Sequence, residues 1–482
     1  MTRKKTLSDY SPEELQAELT RRWADDHFRK GMTMSQMELT VWEACGMESP
    51  AALRHLMALL SRVPLEKPTG KPCPRCAKRT PVKARDRERT LRTMAGPVTL
   101  KRNYHYCEHC QAGFYPVDRL LDVPEEGELT AEMEKRVLDF GINDVYGEGA
   151  ARWQLHYREP ISDNLLRRVV ARVGLQCEES DQGRLQAELK PRPEEPADVL
   201  VIEVDGSMLP IRGLEPWKEA KVGLTYRHDV SARKPIPSTA RYVAVVGGMS
   251  EFAPVFEEAL DIEGLDDAGA VVWVGDGAPC NWTLADQLAP DALQILDWHH
   301  AVEHAVDCGK VLLGEESPWL SLWQRRAEAL LAEGAPEAFL AELMACVPLA
   351  EKRRGRDKKD ALAALDDLVR YYRTNAQRMK YRLYRDAGFP IGSGAIESAH
   401  RHVLQTRMKR AGQHWALLNA RRMARLRAAY RTAGALNVYG AIRRARRDTE
   451  RDGQLRRERR RNFRYARYGQ RDLNNAQKMR SN

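Results

Sequence analysis

No stretch of this chain approaches the roughly 18 to 20 consecutive apolar residues that a membrane-spanning helix needs. The opening residues, MTRKKTLSDYSPEELQAEL, carry basic charge without the apolar core of a signal peptide. These absences lead to the expectation of a soluble, intracellular protein without a membrane partner. A disulfide framework is missing too. Nine cysteines are an odd number, and Cys45, Cys177, Cys280, Cys308 and Cys346 stand singly, which argues for a reducing compartment. A surplus of acid is also lacking: the net charge is +10 with 30% charged residues. That balance favours an anionic partner, nucleic acid first.

What is present divides the chain. A length of 482 residues with 43% hydrophobic content can fill several cores, about three units at roughly 150 residues each. Residues 1–66 read as a helical region, with Ser11 as an N-cap, Glu14 three residues on, and Leu53, Leu56 and Leu60 at helical spacing. Residues 125–178 read as helical again. There Ser162 caps a helix from Asp163 to Val173 that turns Arg167, Arg168 and Arg172 outward and Leu165, Leu166 and Val169 inward. A short helix, a turn and a capped basic helix outline a helix-turn-helix-like DNA-binding domain, or equally a plain three-helix bundle with a solvated basic face. Residues 179–198, with three prolines, read as a linker.

From 199 to 300 the pattern changes. Three strand-like segments in succession, followed by alternating helix and strand, predict a mixed α/β sheet. Residues 301–388 are almost purely helical and charged, like an insertion. Residues 389–434 return to the core as its final helices. The tail, 435–482, is dense in arginine (RRARR, RRERRR), which suits either a DNA-binding extension or a solvated end.

Between 67 and 124 lie Cys73 and Cys76 in CPRC and Cys107 and Cys110 in CEHC. Two C-x2-C turns aim four thiolates at one point, the tetrahedral set that a structural Zn2+ prefers. The alternating VTLKRNYHYC between them suits a zinc ribbon. His105 and His109, beside the second turn, are expected to be spectators or DNA contacts rather than ligands. The basic loop residues Arg75, Lys78, Arg79, Lys83 and Arg85 suit phosphate contact.

Asp205 in VLVIEVDG and Asp276 in VVWVGDG each end an apolar run and are followed by glycine. An acid at the carboxyl end of a strand stands where open α/β sheets place ligand sites. Two such carboxylates together repel unless a hard cation such as Mg2+ lies between them. Glu203 shares a strand face with Asp205 and can either assist a metal or pair with a lysine. In LDWHHAVEH, His300 and His304 are a helical turn apart, but Asp297 and His300 read better as site-edge residues touching DNA than as part of a metal-binding pair, with simple structural roles also open. In IGSGAIESAHRHVLQTRMKR one acid, Glu397, stands among Arg401, Arg407, Lys409 and Arg410, all four candidates for DNA contact. Local physics offers Gly394 as an N-cap and Glu397 as the return bond of a capping box.

The blocks VDGSMLPIR with WKEAKVGLTY, then VGDGAPCNWTLADQLAPDALQILDWHHAVEH, then IGSGAIESAHRHVLQTRMKRAGQHWALLNARRMARLRAAY, resemble the catalytic core of bacterial insertion-sequence transposases of the DDE superfamily, in particular the ISKra type. The likeness spans residues 199 to 432 in three ordered blocks. It implies an RNase H-like fold in which Asp205, Asp276 and Glu397 hold two Mg2+ (or Mn2+) ions, with the cysteines holding one Zn2+. It implies binding of double-stranded element ends and target DNA, strand cleavage and strand transfer, and a homodimer or higher oligomer when two ends are synapsed. The fold class expected is therefore multidomain α/β: an RNase H-like mixed-sheet core with a helical insertion, preceded by a helical cap, a zinc ribbon and a helix-turn-helix-like domain. The rival readings are a catalytically silent DNA-binding protein and a nuclease of the same fold that cuts without joining.

Overall fold

The computed structural model describes residues 32–45, 69–94, 96–124, 126–157, 160–213 and 216–449, with the isolated positions 14, 18 and 26. The helices expected around Ser11 and from Leu53 to Leu60, and the arginines beyond 449, lie outside the described residues. The described chain forms two compact units, one taking in residues up to 141 and 150–169, the other 142–149 and 170–449.

In the first unit, α1 (Met34–Cys45) precedes a small hairpin of β1 (Lys71–Pro72) and β2 (Arg79–Thr80) and an antiparallel sheet of β3 (Val82–Thr93), β4 (Gly96–Cys107) and β5 (Ala112–Phe114). Along the first half of β4 burial alternates strictly, with Val98 and Leu100 inside and Thr99 and Lys101 outside, the two-residue period of a half-covered sheet. His105 is fully buried, its Nδ1 3.0 Å from the Thr80 carbonyl and its ring 5.3 Å from Phe114. It is a core residue, which removes it from the DNA contacts.

Helices α2 (Pro116–Leu120), α3 (Ala131–Asn143), α4 (Tyr146–Tyr157) and α5 (Asp163–Glu179) follow. Ser162 Oγ accepts from Leu165 N at 3.1 Å, the cap read from the sequence, but α5 runs six residues past Val173. The stretch read as a linker is not wholly one. It contains α6 (Gln182–Leu189), capped by Asp181 and burying Leu185 and Leu189.

The second unit is built on a mixed sheet of β6 (Val199–Pro210), β7 (Trp217–Asp229), β8 (Lys234–Pro235), β9 (Arg241–Val246), β10 (Ala270–Gly275) and β11 (Leu293–Leu296). Its main strands lie in the order β9-β7-β6-β10-β11, with β9, β7 and β6 antiparallel and β6, β10 and β11 parallel. Central β6 is buried from Val199 to Val204, which is why it reads as an aliphatic run interrupted only by Glu203. Helix α7 (Met249–Glu263) lays Phe252 and Phe256 across β7. A Cβ at Gly223 would lie 2.6 Å from the Phe256 ring and 2.7 Å from Phe252, so only glycine allows that approach. Arg241, fully buried, pairs with Glu263 at 2.8 Å and donates to the carbonyls of Gln186 and Lys190 at the end of α6.

Helix α8 (Pro279–Leu288) joins β10 to β11. Then come α9 (Trp298–Leu313), α10 (Leu320–Ala332), α11 (Pro336–Glu351), α12 (Gly355–Asn375) and α13 (Tyr381–Asp386), an unbroken helical block. The chain returns as α14 (Gly394–His400) and passes through a π-turn at Arg401–Gln405, and the described residues close with α15 (Leu417–Ala433) and a helix over 438–449. The guanidinium of Arg427, on α15, is buried and donates to the carbonyls of His402 and Val403 within the π-turn and to Ile142 at 2.7 Å. It thus satisfies acceptors that the wider turn frees. No helix among the described residues is long and apolar enough to cross a membrane.

Candidate catalytic edge and metal centre

In the first unit the two C-x2-C turns converge. Cys73 Sγ lies 3.9 Å from Cys110 Sγ and Cys76 Sγ 3.6 Å from Cys107 Sγ, and all four sulfurs lie within 4.8 Å of one another. A tetrahedral Zn2+ with bonds of about 2.3 Å separates its sulfurs by about 3.8 Å, so the donor set fits zinc. The first turn closes through Ala77 N to Cys73 O at 2.9 Å and Arg75 N to Cys73 Sγ at 3.4 Å. Chiefly the backbone N–H of Cys110 pulls the Cys107 thiol down to about 6, whereas burial and then the neighbouring thiols push Cys110 up to about 12. Four facing sulfurs cannot all ionise unless a cation joins them. Arg75, Lys78, Arg79, Lys83, Arg85 and His109 are exposed around this unit.

In the second unit, Val274 of β10 pairs with Glu203 of β6. Two residues further along the chain from that last pair stand Asp205, still within β6, and Asp276, just past the end of β10, so both lie at the same end of two neighbouring parallel strands. Asp276 directly follows β10, as the sequence indicates. Asp205 does not end its strand: β6 continues, paired with β7, to Pro210 opposite Trp217. Its position at the edge arises because β10 stops while β6 goes on.

Asp276 is held through one oxygen, whereas Asp205 has a neighbour at each. Asp276 Oδ1 accepts from Asn281 Nδ2 at 2.9 Å and Ala278 N at 3.0 Å, and the same Asn281 amide reaches the Val204 carbonyl at 3.1 Å. One α8 side chain thereby ties the end of β10 to the middle of β6. Tyr371 of α12 donates to the Asp276 carbonyl at 2.9 Å. Gly277 adopts φ +95°, and a Cβ there would lie 2.7 Å from the Tyr371 hydroxyl, so this Asp-Gly needs its glycine twice over. Asp205 Oδ1 accepts from Gly206 N, while Oδ2 lies 3.2 Å from His400 Nε2.

Helix α14 is tied to this edge by acids that do not themselves face solvent. Glu203, fully buried, accepts from Tyr226 Oη at 2.7 Å and from Ile396 N at 2.8 Å. Burial pushes its carboxyl up to about 7, and the nearby Asp297 and Glu397 carboxylates add to the rise. With both oxygens engaged, Glu203 takes neither role foreseen for it: it is a latch.

Asp297 is also fully buried. It caps α9 by accepting from His299 N and His300 N, and its other oxygen accepts from Ser393 N at 2.7 Å and from the Ser393 hydroxyl. Burial, the largest influence, opposes its ionisation, but His300 and Ser393 together outweigh it and hold the carboxyl down to about 2. In turn Asp297, 3.5 Å away, holds the half-exposed His300 up to about 9. A buried acid cannot touch DNA, so Asp297 is corrected to a structural role and His300 alone keeps the surface one. His304 lies tilted against Tyr371, ring centroids 4.1 Å apart, and its pKa is pulled down by burial.

Glu397 is exposed on α14, three residues from His400 and one from the Ile396–Glu203 bond. The cap is Ser393 rather than Gly394, and the Glu397 side chain makes no capping bond. Its carboxylate is therefore available. The three acids do not close to the 4.8 Å of the sulfur cluster. That excludes one tight cage shared by all three, while two ions about 3.5 to 4 Å apart span a wider set. Asp205, Asp276 and Glu397 are hard oxygen donors, and although the two Asp205 oxygens face Gly206 N and His400, each keeps a lone pair, which fits Mg2+ or Mn2+.

Among the basic candidates, Arg401, Lys409, Arg410, Arg167 and Arg168 are exposed and Arg172 is half-buried. Lys409 donates to Ser207 Oγ, and Arg410 pairs with Glu148 at 2.7 Å. Arg407 is corrected: it is 1% exposed, 4.9 Å from the Tyr146 ring and 5.2 Å from Trp415, so it packs where a phosphate does not reach. Asn281, Tyr371, Ser393 and His400 were not foreseen from the sequence.

The chain belongs to the uncharacterised protein family UPF0236. The family model matches residues 29–444 and so covers both the cysteine cluster and the acidic edge. This family is associated with transposase-like proteins. No curated protein matches the chain.

Proposed function

We propose that the protein is a DDE-type DNA transposase that binds element ends and performs metal-dependent strand cleavage and strand transfer at Asp205, Asp276 and Glu397. One observation carries this reading. Two buried acids, Glu203 and Asp297, fasten the start of α14 to the sheet edge that bears Asp205 and Asp276, and leave Glu397 with a free carboxylate. A binding module has no physical need for three acids at and beside one sheet edge on a chain of net charge +10. The strand order β9-β7-β6-β10-β11, three antiparallel and then parallel, supports an RNase H-like core.

When bound, two divalent ions neutralise the phosphodiester and align attacking and leaving oxygens. The chain's own residues supply the frame. Asn281 and Tyr371 fix Asp276, the latches fix α14, and His300, kept protonated by Asp297, offers a positive edge to a phosphate. Lys409, Arg401 and Arg410 offer sequence-independent affinity on the same unit. The cysteine unit, read as a zinc ribbon ringed by Arg75, Lys78, Arg79, Lys83 and Arg85, supports recognition of element ends. Two ends must meet for transfer, so the acting species is a dimer or larger. Incubating the protein with the element's terminal DNA and Mg2+ or Mn2+ tests the reading: a joined strand-transfer product is expected, and cleavage without joining would reduce the function to a nuclease.

A further inference from the structure

His400 is 3% exposed, and neither ring nitrogen has a hydrogen bond among the described residues. Its Nε2 nevertheless lies 3.2 Å from Asp205 Oδ2. A buried imidazole without partners costs stability, so an unbonded ring at this place calls for a role. The opposite oxygen of Asp205 is already used by Gly206 N at 2.6 Å. The backbone amide thus holds one carboxylate oxygen and the ring flanks the other within ion-pair reach, so a small turn of the imidazole would bring both oxygens under control and leave the remaining lone pairs for a ligand. His400 stands one turn beyond Glu397, on the same side of α14, so one helix carries both an acid of the site and the group that orients another.

We infer that His400 is a positioning residue, donating Nε2–H to Asp205 Oδ2 so that the carboxylate is preset for the divalent ion. The inference rests on the transposase reading, and extends it by giving α14 a second contribution to the site. A ligating carboxylate is commonly held by such an outer partner, whose loss costs about 10- to 100-fold in metal affinity or activity.

The test uses the full chain and Mn2+ alone as the probe, with free Mn2+ read by electron paramagnetic resonance and folding by thermal melting. Asp205→Asn gives the baseline without the site. His400→Leu, which keeps bulk but has no donor, is expected to weaken Mn2+ binding by about tenfold or more, whereas His400→Gln, whose amide nitrogen falls near Nε2, stays within about threefold of wild type. Should His400→Leu fail to melt cooperatively, the pair of polar variants carries the test. His400→Asn puts its amide near Nδ1, away from Asp205, and should lose what His400→Gln keeps. Folded His400→Leu that binds Mn2+ as tightly as wild type, or Asn and Gln variants that bind alike, overturns this inference alone. Wild type that binds no better than Asp205→Asn overturns the metal reading and this inference with it.

Discussion

Ser393 gives both its backbone N–H and its hydroxyl to a single oxygen of Asp297, 96 residues earlier in the chain. Through that contact the loop before Glu397 is anchored to the end of β11. Ser393→Ala removes one donor and leaves the other, so a loss of about 1 to 3 kcal/mol is expected in urea unfolding. Strand cleavage should fall further than that loss explains, because Glu397 is then held less well.

The Asp297–His300 pair gives stability a defined dependence on pH. His300 is raised to about 9 from 6.5, so its contribution is complete below pH 6.5 and disappears as pH rises through 9. Asp297 is lowered to about 2 from 3.8, so its share is present above pH 3.8 and lost only as pH falls through 2. The wild-type melting temperature should therefore decline between pH 6.5 and 9. His300→Gln should flatten that decline, and an unchanged slope would show that the pair does not govern it.

Gly277→Ala should destabilise by about 1 to 2 kcal/mol from its left-handed φ alone, and more because the new methyl meets Tyr371. Since the turn carries Asp276, activity should suffer more than folding. Chemical denaturation and a cleavage assay on one preparation separate the two effects.

For the cysteine cluster, elemental analysis should find one zinc per chain, and Cys107→Ser should release it. Binding to specific element ends should weaken more than binding to random DNA. Equal losses on both would remove recognition from the role of this unit.

What the sequence made legible was local. The C-x2-C turns and the Asp276–Gly277 strand end depend on near neighbours, and all lie where their spacing indicates. Asp205 was recognised as an edge acid although its strand continues, because the end of β10, not of β6, creates the edge. The misreadings arose from partners far along the chain. Arg407 resembles a surface base until Tyr146 and Trp415 enclose it, and Asp297 resembles a site acid until Ser393 reaches it. His400 gave no signal, since Asp205 lies 195 residues away, and Asn281 gave none because its bridge from nearby Asp276 to Val204 spans 77 residues.

The most direct test is Mg2+-dependent cleavage of a labelled element end by wild type and by Glu397→Gln, with DNA binding measured on the same samples. The account predicts binding close to wild type and cleavage reduced to background, as also for Asp205→Asn and Asp276→Asn. Cleavage by folded Glu397→Gln at near wild-type rate would contradict it.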